Sequence, residues 1–391
     1  MNLTLALSVA FAASASAEMI DGAKFRKIEE GAWYHPVEPA DWAYSGADEQ
    51  TIYRVLERIE TASGERANPD QPDTVIAYGP GHWVYEFTAA GNEAMAAGKY
   101  QAAIVYYHTA AAPHLGTPEQ TAALEKAYDA YAAAMRGIGH YEEVEIGYMG
   151  GRFTAHLHLP DGDGPFPLLV MSNGSDVSSV MTLSYYAEHL APKGIAFLTL
   201  DLPGMGHSAA FDAGDGNLQK LHVAALEWAF AQDTFDRDNV FLQGISMGGA
   251  AAASVLLGHP EFDLAGVIYV CGPLHDLFVA PPESYASFPK FTVDGTKTRL
   301  GLPTDADNME FAHLFRAWSV DKFGFFDETP IETPFLAINT NDDPVAPVEE
   351  MDRILARTTH GERVVFDMPG HCPPDHLREM IASHWIVKNL R

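Results

Sequence analysis

The feature that most constrains this chain is Gly244-Ile245-Ser246-Met247-Gly248, set between an apolar run and an alanine-rich stretch. Val240-Phe241-Leu242 before it reads as a short buried strand, and residues 248–257 after it as a tightly packed helix. A serine at such a strand-to-helix turn sits in a strained elbow with its hydroxyl pushed out above the sheet. Small residues two before and two after are needed because the turn brings backbone against backbone. By itself the pattern is weak, since Gly and Ser are abundant. The flanking strand and helix give it weight.

A chain of 391 residues is too long for one ordinary small domain and suits a large α/β domain with a smaller partner. Its formal charge of −29 would repel polyanions, which makes nucleic acid and anionic membrane poor partners. Residues 1–17 carry no charged side chain, residues 3–13 are apolar, and Ala15-Ser16-Ala17 before Glu18 fits a small-x-small cleavage site. That segment reads as a secretory signal peptide, which predicts a periplasmic or secreted protein. It lacks a Lys or Arg in its first residues, so a frayed N-terminus on a cytoplasmic protein stays as the alternative. No other apolar stretch approaches membrane-spanning length, so no stable membrane insertion is expected. Two cysteines, Cys271 and Cys372, make no disulfide framework, and Cys271 in its apolar strand reads as a buried small hydrophobe.

Residues 18–45 are aromatic and irregular, and from about 50 to 139 the pattern is helical, over 51–63, 82–97, 100–112 and 117–136. Thr117-Pro118-Glu119-Gln120 is a start signal, with Thr as N-cap and Pro at the first helical position. After Gly137-Ile138-Gly139, residues 142–159 alternate as in an antiparallel hairpin. Strands then follow at 168–172, 195–200, 240–243, 264–270, 335–339 and 363–366, with helices at 182–191, 218–231 and 375–389. This alternation predicts the α/β class, a mostly parallel twisted sheet with helices on both faces. The expected division is a helical cap domain over 18–139 and an α/β-hydrolase domain over 140–391. Residues 274–330 break the rhythm between two core strands and read as a lid-like insertion.

A serine hydroxyl needs a base to take its proton, and the base needs a carboxylate to orient it. In α/β-hydrolases the chain order is Ser, then Asp or Glu, then His. The strand 335–339 leads into Thr340-Asn341-Asp342-Asp343-Pro344-Val345-Ala346-Pro347, where Asp343 fits the D-x-x-(small apolar)-P arrangement and Asp342 is the near alternative. The last strand leads into Asp367-Met368-Pro369-Gly370-His371, which puts His371 on a loop above the sheet edge within reach of Ser246. His376 and His384, on or near the last helix, read as packing or solvent-facing. The oxyanion hole needs two backbone N–H donors. One is expected from Met247 and the other from Asn173-Gly174-Ser175-Asp176, with Ser175 as the donor.

Other motifs carry less. Asp201-Leu202-Pro203-Gly204-Met205-Gly206 lacks dinucleotide-site spacing and reads as a loop near the pocket. His156 and His158 alternate on one strand, and with no third ligand nearby a surface-facing pair is the expectation. No metal site and no cofactor are expected.

The chain resembles the FrsA-like family of α/β-hydrolases, which includes relatives of 2,6-dihydroxypseudooxynicotine hydrolase. The resemblance rests on Gly162-Asp163-Gly164-Pro165-Phe166-Pro167, Asn173-Gly174-Ser175-Asp176, Ala191-Pro192-Lys193-Gly194-Ile195-Ala196, Asp201-Leu202-Pro203 and Arg299-Leu300-Gly301. It covers residues from about 50 to 390 and implies an α/β-hydrolase with an N-terminal helical domain over the active site. Members of that family can lack the elbow serine, whereas Ser246 is present here. They are usually cytoplasmic, whereas this chain opens on a leader-like segment.

Together these readings predict a serine hydrolase acting on a small-molecule carboxylic ester. Cleavage of a carbon–carbon bond in a ketone or β-diketone and a non-catalytic binding role are the alternatives. The helical domain leaves homodimerisation open.

Overall fold

The computed structural model describes residues 33–63 and 73–391; the leader-like segment 1–17 lies outside them. Among the described residues, eight strands make one sheet. They are β1 (His140–Tyr148), β2 (Gly151–Leu159), β3 (Phe166–Ser172), β4 (Ala196–Thr199), β5 (Phe235–Ile245), β6 (Gly266–Val270), β7 (Phe335–Asp342) and β8 (Gly361–Pro369). Their order is β1-β2-β4-β3-β5-β6-β7-β8. β1 pairs antiparallel with β2, and β2 with β4, while every pair from β4 to β8 is parallel.

The central strands are apolar throughout because both sheet faces are covered. Successive side chains alternate between two cores. Leu169, Met171, Phe241, Ile268, Val270 and Ile338 feed one, and Leu168, Val170, Leu242, Val267, Tyr269 and Ala337 feed the other. The N-terminal helices and the closing helix Asp375–Lys388 cover the first face. Helices Lys220–Phe230, Met247–Gly258 and Val348–Leu355 cover the second, joined by Phe278, Phe311, Phe315 and Trp318 from the segment between β6 and β7.

N-terminal to the sheet lie helices Pro39–Tyr44, Glu49–Ser63, Asp73–Ile76, Trp83–Ala96, Tyr100–Ala111 and Pro118–Met135. The Thr117 side chain accepts the Gln120 N–H, as an N-cap should. Polar contacts tie this layer to the sheet: the Tyr128 hydroxyl donates to Asp201 (2.7 Å), and Ser178 N–H donates to His108 Nε2 (3.1 Å).

Two expectations are corrected here. His156 and His158 are completely buried rather than surface-facing, because the Pro118–Met135 helix covers their side of the hairpin. His158 Nε2 pairs with the Tyr131 hydroxyl (2.7 Å) and His156 Nδ1 with that of Tyr141 (2.8 Å). Burial lowers the pKa of both rings to about 3, so they are neutral packing groups. The second correction concerns residues 182–191, which are not one α-helix. A 3₁₀ turn, Ser179–Thr182, leads to a π-wound turn, Tyr185–Leu190, and then to a second 3₁₀ turn, Ala191–Lys193. Pro192 has no N–H to continue α-helical bonding. Among the described residues, no helix is long and apolar enough to cross a membrane.

Candidate active site

The C-terminal ends of β3, β5, β6, β7 and β8 open on one edge of the sheet, the edge where parallel α/β sheets hold ligands. Ser246 follows β5 with φ 52° and ψ −121°, outside the regions ordinary residues prefer. The flanking glycines explain how this turn is tolerated. A Cβ on Gly244 would overlap the Gly248 carbonyl, and one on Gly248 would lie 2.6 Å from both Asn173 O and Ser172 Oγ. Ser246 N–H donates to Val270 O at the end of β6 (2.8 Å). Helix Met247–Gly258 begins at the next residue. The Met247 N–H, in its first turn, has no intrahelical acceptor.

Ser246 Oγ lies 2.8 Å from His371 Nε2, and His371 Nδ1 lies 2.9 and 3.0 Å from the two carboxylate oxygens of Asp343. A carboxylate only accepts, so Nδ1–H donates to Asp343 and Nε2 is left to accept from the serine hydroxyl. Asp343 Oδ1 also accepts the N–H groups of Val345 (2.8 Å) and Ala346 (2.9 Å), and the side chain is fully buried. Asp342 is exposed. The loop after β3 lies against the serine, since a Cβ on Gly174 would fall 2.9 Å from Ser246 Cβ. Ser175 is buried in that loop.

Cys271 and Cys372 are joined by a disulfide across 101 residues of sequence, with their Cα atoms 5.2 Å apart. The reading of Cys271 as a plain buried hydrophobe is thereby corrected. Cys271 is buried as expected, but it lies one residue past the end of β6, and the expectation that the two cysteines make no disulfide is overturned; a partner so far along the chain leaves no local mark. Cys372 directly follows His371, so the bond stands beside that imidazole.

Arg299, from the segment between β6 and β7, reaches the loop after β3. Arg299, at the end of helix Lys290–Arg299, is 4% exposed, and its Nη1 lies 3.7 Å from Asp176 Oδ1. Those two atoms and Arg299 Nε have no hydrogen-bond partner among the described residues. Burial raises the Asp176 carboxyl above its ordinary value, and Arg299 opposes that rise. Sequence order offered no reason to pair them; only the resemblance had brought out Arg299-Leu300-Gly301 and the loop ending in Asp176. The same helix is strapped to the N-terminal segment, where the Tyr34 hydroxyl donates to Asp294 (2.9 Å) and the His35 ring stacks on Trp83 and meets Phe291.

A family model described as "Esterase FrsA-like" matches residues 3–373. The chain is 30% identical over 343 residues to an "Esterase FrsA" of Vibrio vulnificus, covering 84% of this chain and 81% of that one. It is 31% identical over 380 residues to an "Esterase FrsA" of Salmonella typhi, covering 92% and 89%. In fold it is similar to the crystal structure of the 2,6-dihydroxy-pseudo-oxynicotine hydrolase, with a TM-score of 0.66 at 18% identity over 90% of this chain and 95% of that one.

Proposed function

The chain belongs to the FrsA-like esterase family, and from that premise we propose that it is a serine hydrolase of small-molecule carboxylic esters. The observation that carries the proposal is the unbroken hydrogen-bonded line from Ser246 Oγ through His371 to Asp343.

In this reading His371 Nε2 takes the Ser246 proton as Oγ attacks the ester carbonyl. Asp343 holds the ring by its Nδ1–H and stabilises the imidazolium that forms. The Met247 N–H and the Ser175 N–H donate to the oxygen that becomes negative. Collapse of the tetrahedral intermediate breaks the ester C–O bond, and His371 passes its proton to the departing alcohol. A water, deprotonated by His371, then releases the acid from the acyl-enzyme and restores Ser246. No cofactor enters these steps.

Hydrolysis of short and medium p-nitrophenyl esters tests this. Wild type should turn them over and Ser246→Ala should not. Equal turnover by both proteins would refute the assignment. We also propose export, supported by the leader-like segment and by a disulfide of the kind that persists in oxidising compartments.

A further inference from the structure

We propose that the Cys271–Cys372 disulfide is a positioning element for the base, so that turnover depends on the bond being intact. The proposal rests on the hydrolase reading above.

The chain has two cysteines, and both are spent here. Cys271 is fully buried at the end of β6, with its N–H donating to Ile338 O (2.9 Å) on β7. The residue before it, Val270, accepts the Ser246 N–H. The bond therefore refers His371 to the same strand end that holds the serine. His371 needs such a reference because it follows β8, the edge strand, which is half-exposed along its length. Beside the His371–Asp343 pair (2.9 Å), one short hydrogen bond, Thr340 Oγ1 to Gly370 O (2.6 Å), ties its loop to β7. Two longer ones, Gly370 N–H to Asp342 O and Cys372 N–H to Asp343 Oδ2, are each 3.4 Å. The covalent link is its tie to β6. A base displaced by about 1 Å costs on the order of 100-fold in rate.

Reduction by a dithiol breaks the S–S bond. Each sulfur gains one electron and one proton, and the reductant leaves as its own disulfide. Cys271 and Cys372 then act on the reaction only through His371, as positioning residues.

The test is kinetic and reversible. Wild type is assayed oxidised, reduced with free thiols counted, and re-oxidised, well below its melting transition. A chelator is kept present, because the two Sγ atoms and a His371 ring nitrogen lie within 4.8 Å of one another and a soft cation could take them once freed. The expected result is a fall in kcat of about 10- to 100-fold on reduction, KM within about two-fold, and recovery on re-oxidation. Cys271→Ser/Cys372→Ser should match the reduced enzyme and ignore reductant. A bond that only stabilises would lower Tm and leave kcat of the folded, reduced protein unchanged, which overturns the proposal. Alkylation of both cysteines in native protein without reductant overturns it too. Absence of ester turnover by the oxidised protein would instead refute the hydrolase reading. Hydrogen exchange over residues 367–374 then decides the staple: faster exchange there alone on reduction upholds it, and no change overturns it.

Discussion

The serine and the histidine of this site are held in place by different means. Ser246 is fixed by its own neighbourhood, a buried strand, two glycines that admit no side chain and a helix starting at the next residue. His371 stands at the sheet edge, held by contacts with residues distant in sequence, Asp343, Thr340 and Cys271. One half of the site is thus built by local backbone geometry and the other by tertiary structure. The serine side should therefore fail by misfolding and the histidine side by loss of alignment.

The largest expected effect is on the serine side. Gly244→Ala puts a Cβ into the Gly248 carbonyl and should give no soluble folded protein, read by expression and circular dichroism. On the histidine side, a Cβ at Gly370 meets nothing within 4 Å, although φ there is 104°. Gly370→Ala should fold, with strain of about 1–3 kcal/mol and a reduced kcat. A folded, active Gly244→Ala protein would contradict the local fixing of Ser246.

Next in size is Asp343→Asn, which should lower kcat about 10³- to 10⁴-fold with the fold intact, because the amide no longer fixes the Nδ1–H tautomer. Asp342→Asn should stay within about two-fold, since that side chain is exposed. Comparable losses in the two variants would remove Asp343 from its special place.

Besides the Ser246 N–H to Val270 O bond, the serine side has a long-range contact from Arg299 to Asp176. Arg299→Met strands a largely buried carboxylate, and chemical denaturation should read a loss of about 2–4 kcal/mol. Adding Asp176→Asn should restore part of it; strict additivity would mean the two groups do not interact.

The smallest effect concerns the helix after the base loop. Burial raises the Glu379 carboxyl from 4.5 to about 8, and the Tyr44 hydroxyl bonds to it (3.1 Å). The folded state thus keeps a proton that the unfolded chain loses near 4.5. The stability this brings is complete below that pH and is lost as pH rises through about 8. Wild-type Tm should fall between pH 5 and 9 by about 5 °C more than that of Glu379→Gln, which cannot titrate. Parallel curves would contradict the buried proton.

What the sequence made legible follows the same division. The elbow, the Thr117 cap and the alternation of strands and helices are local patterns, and they stand in the structure close to their expected bounds, except for the 182–191 segment and the longer β5. Ser246, Asp343 and His371 could be singled out because each follows a recognisable strand. Three features left no local signal. The cysteine pairing spans 101 residues. The burial of His156 and His158 depends on which sheet face the N-terminal helices cover, and alternation alone cannot tell a helix-covered face from a wet one. Arg299 meets Asp176 because the segment between β6 and β7 folds back over the loop after β3, a matter of tertiary path.

Fluorophosphonate labelling with intact-mass and peptide mapping checks whether Ser246 is a nucleophile activated by His371. The expected result is one adduct on Ser246 in wild type, none on Ser246→Ala, and labelling slowed at least about 100-fold in His371→Ala. An adduct on another residue, or undiminished labelling of Ser246→Ala, would contradict it.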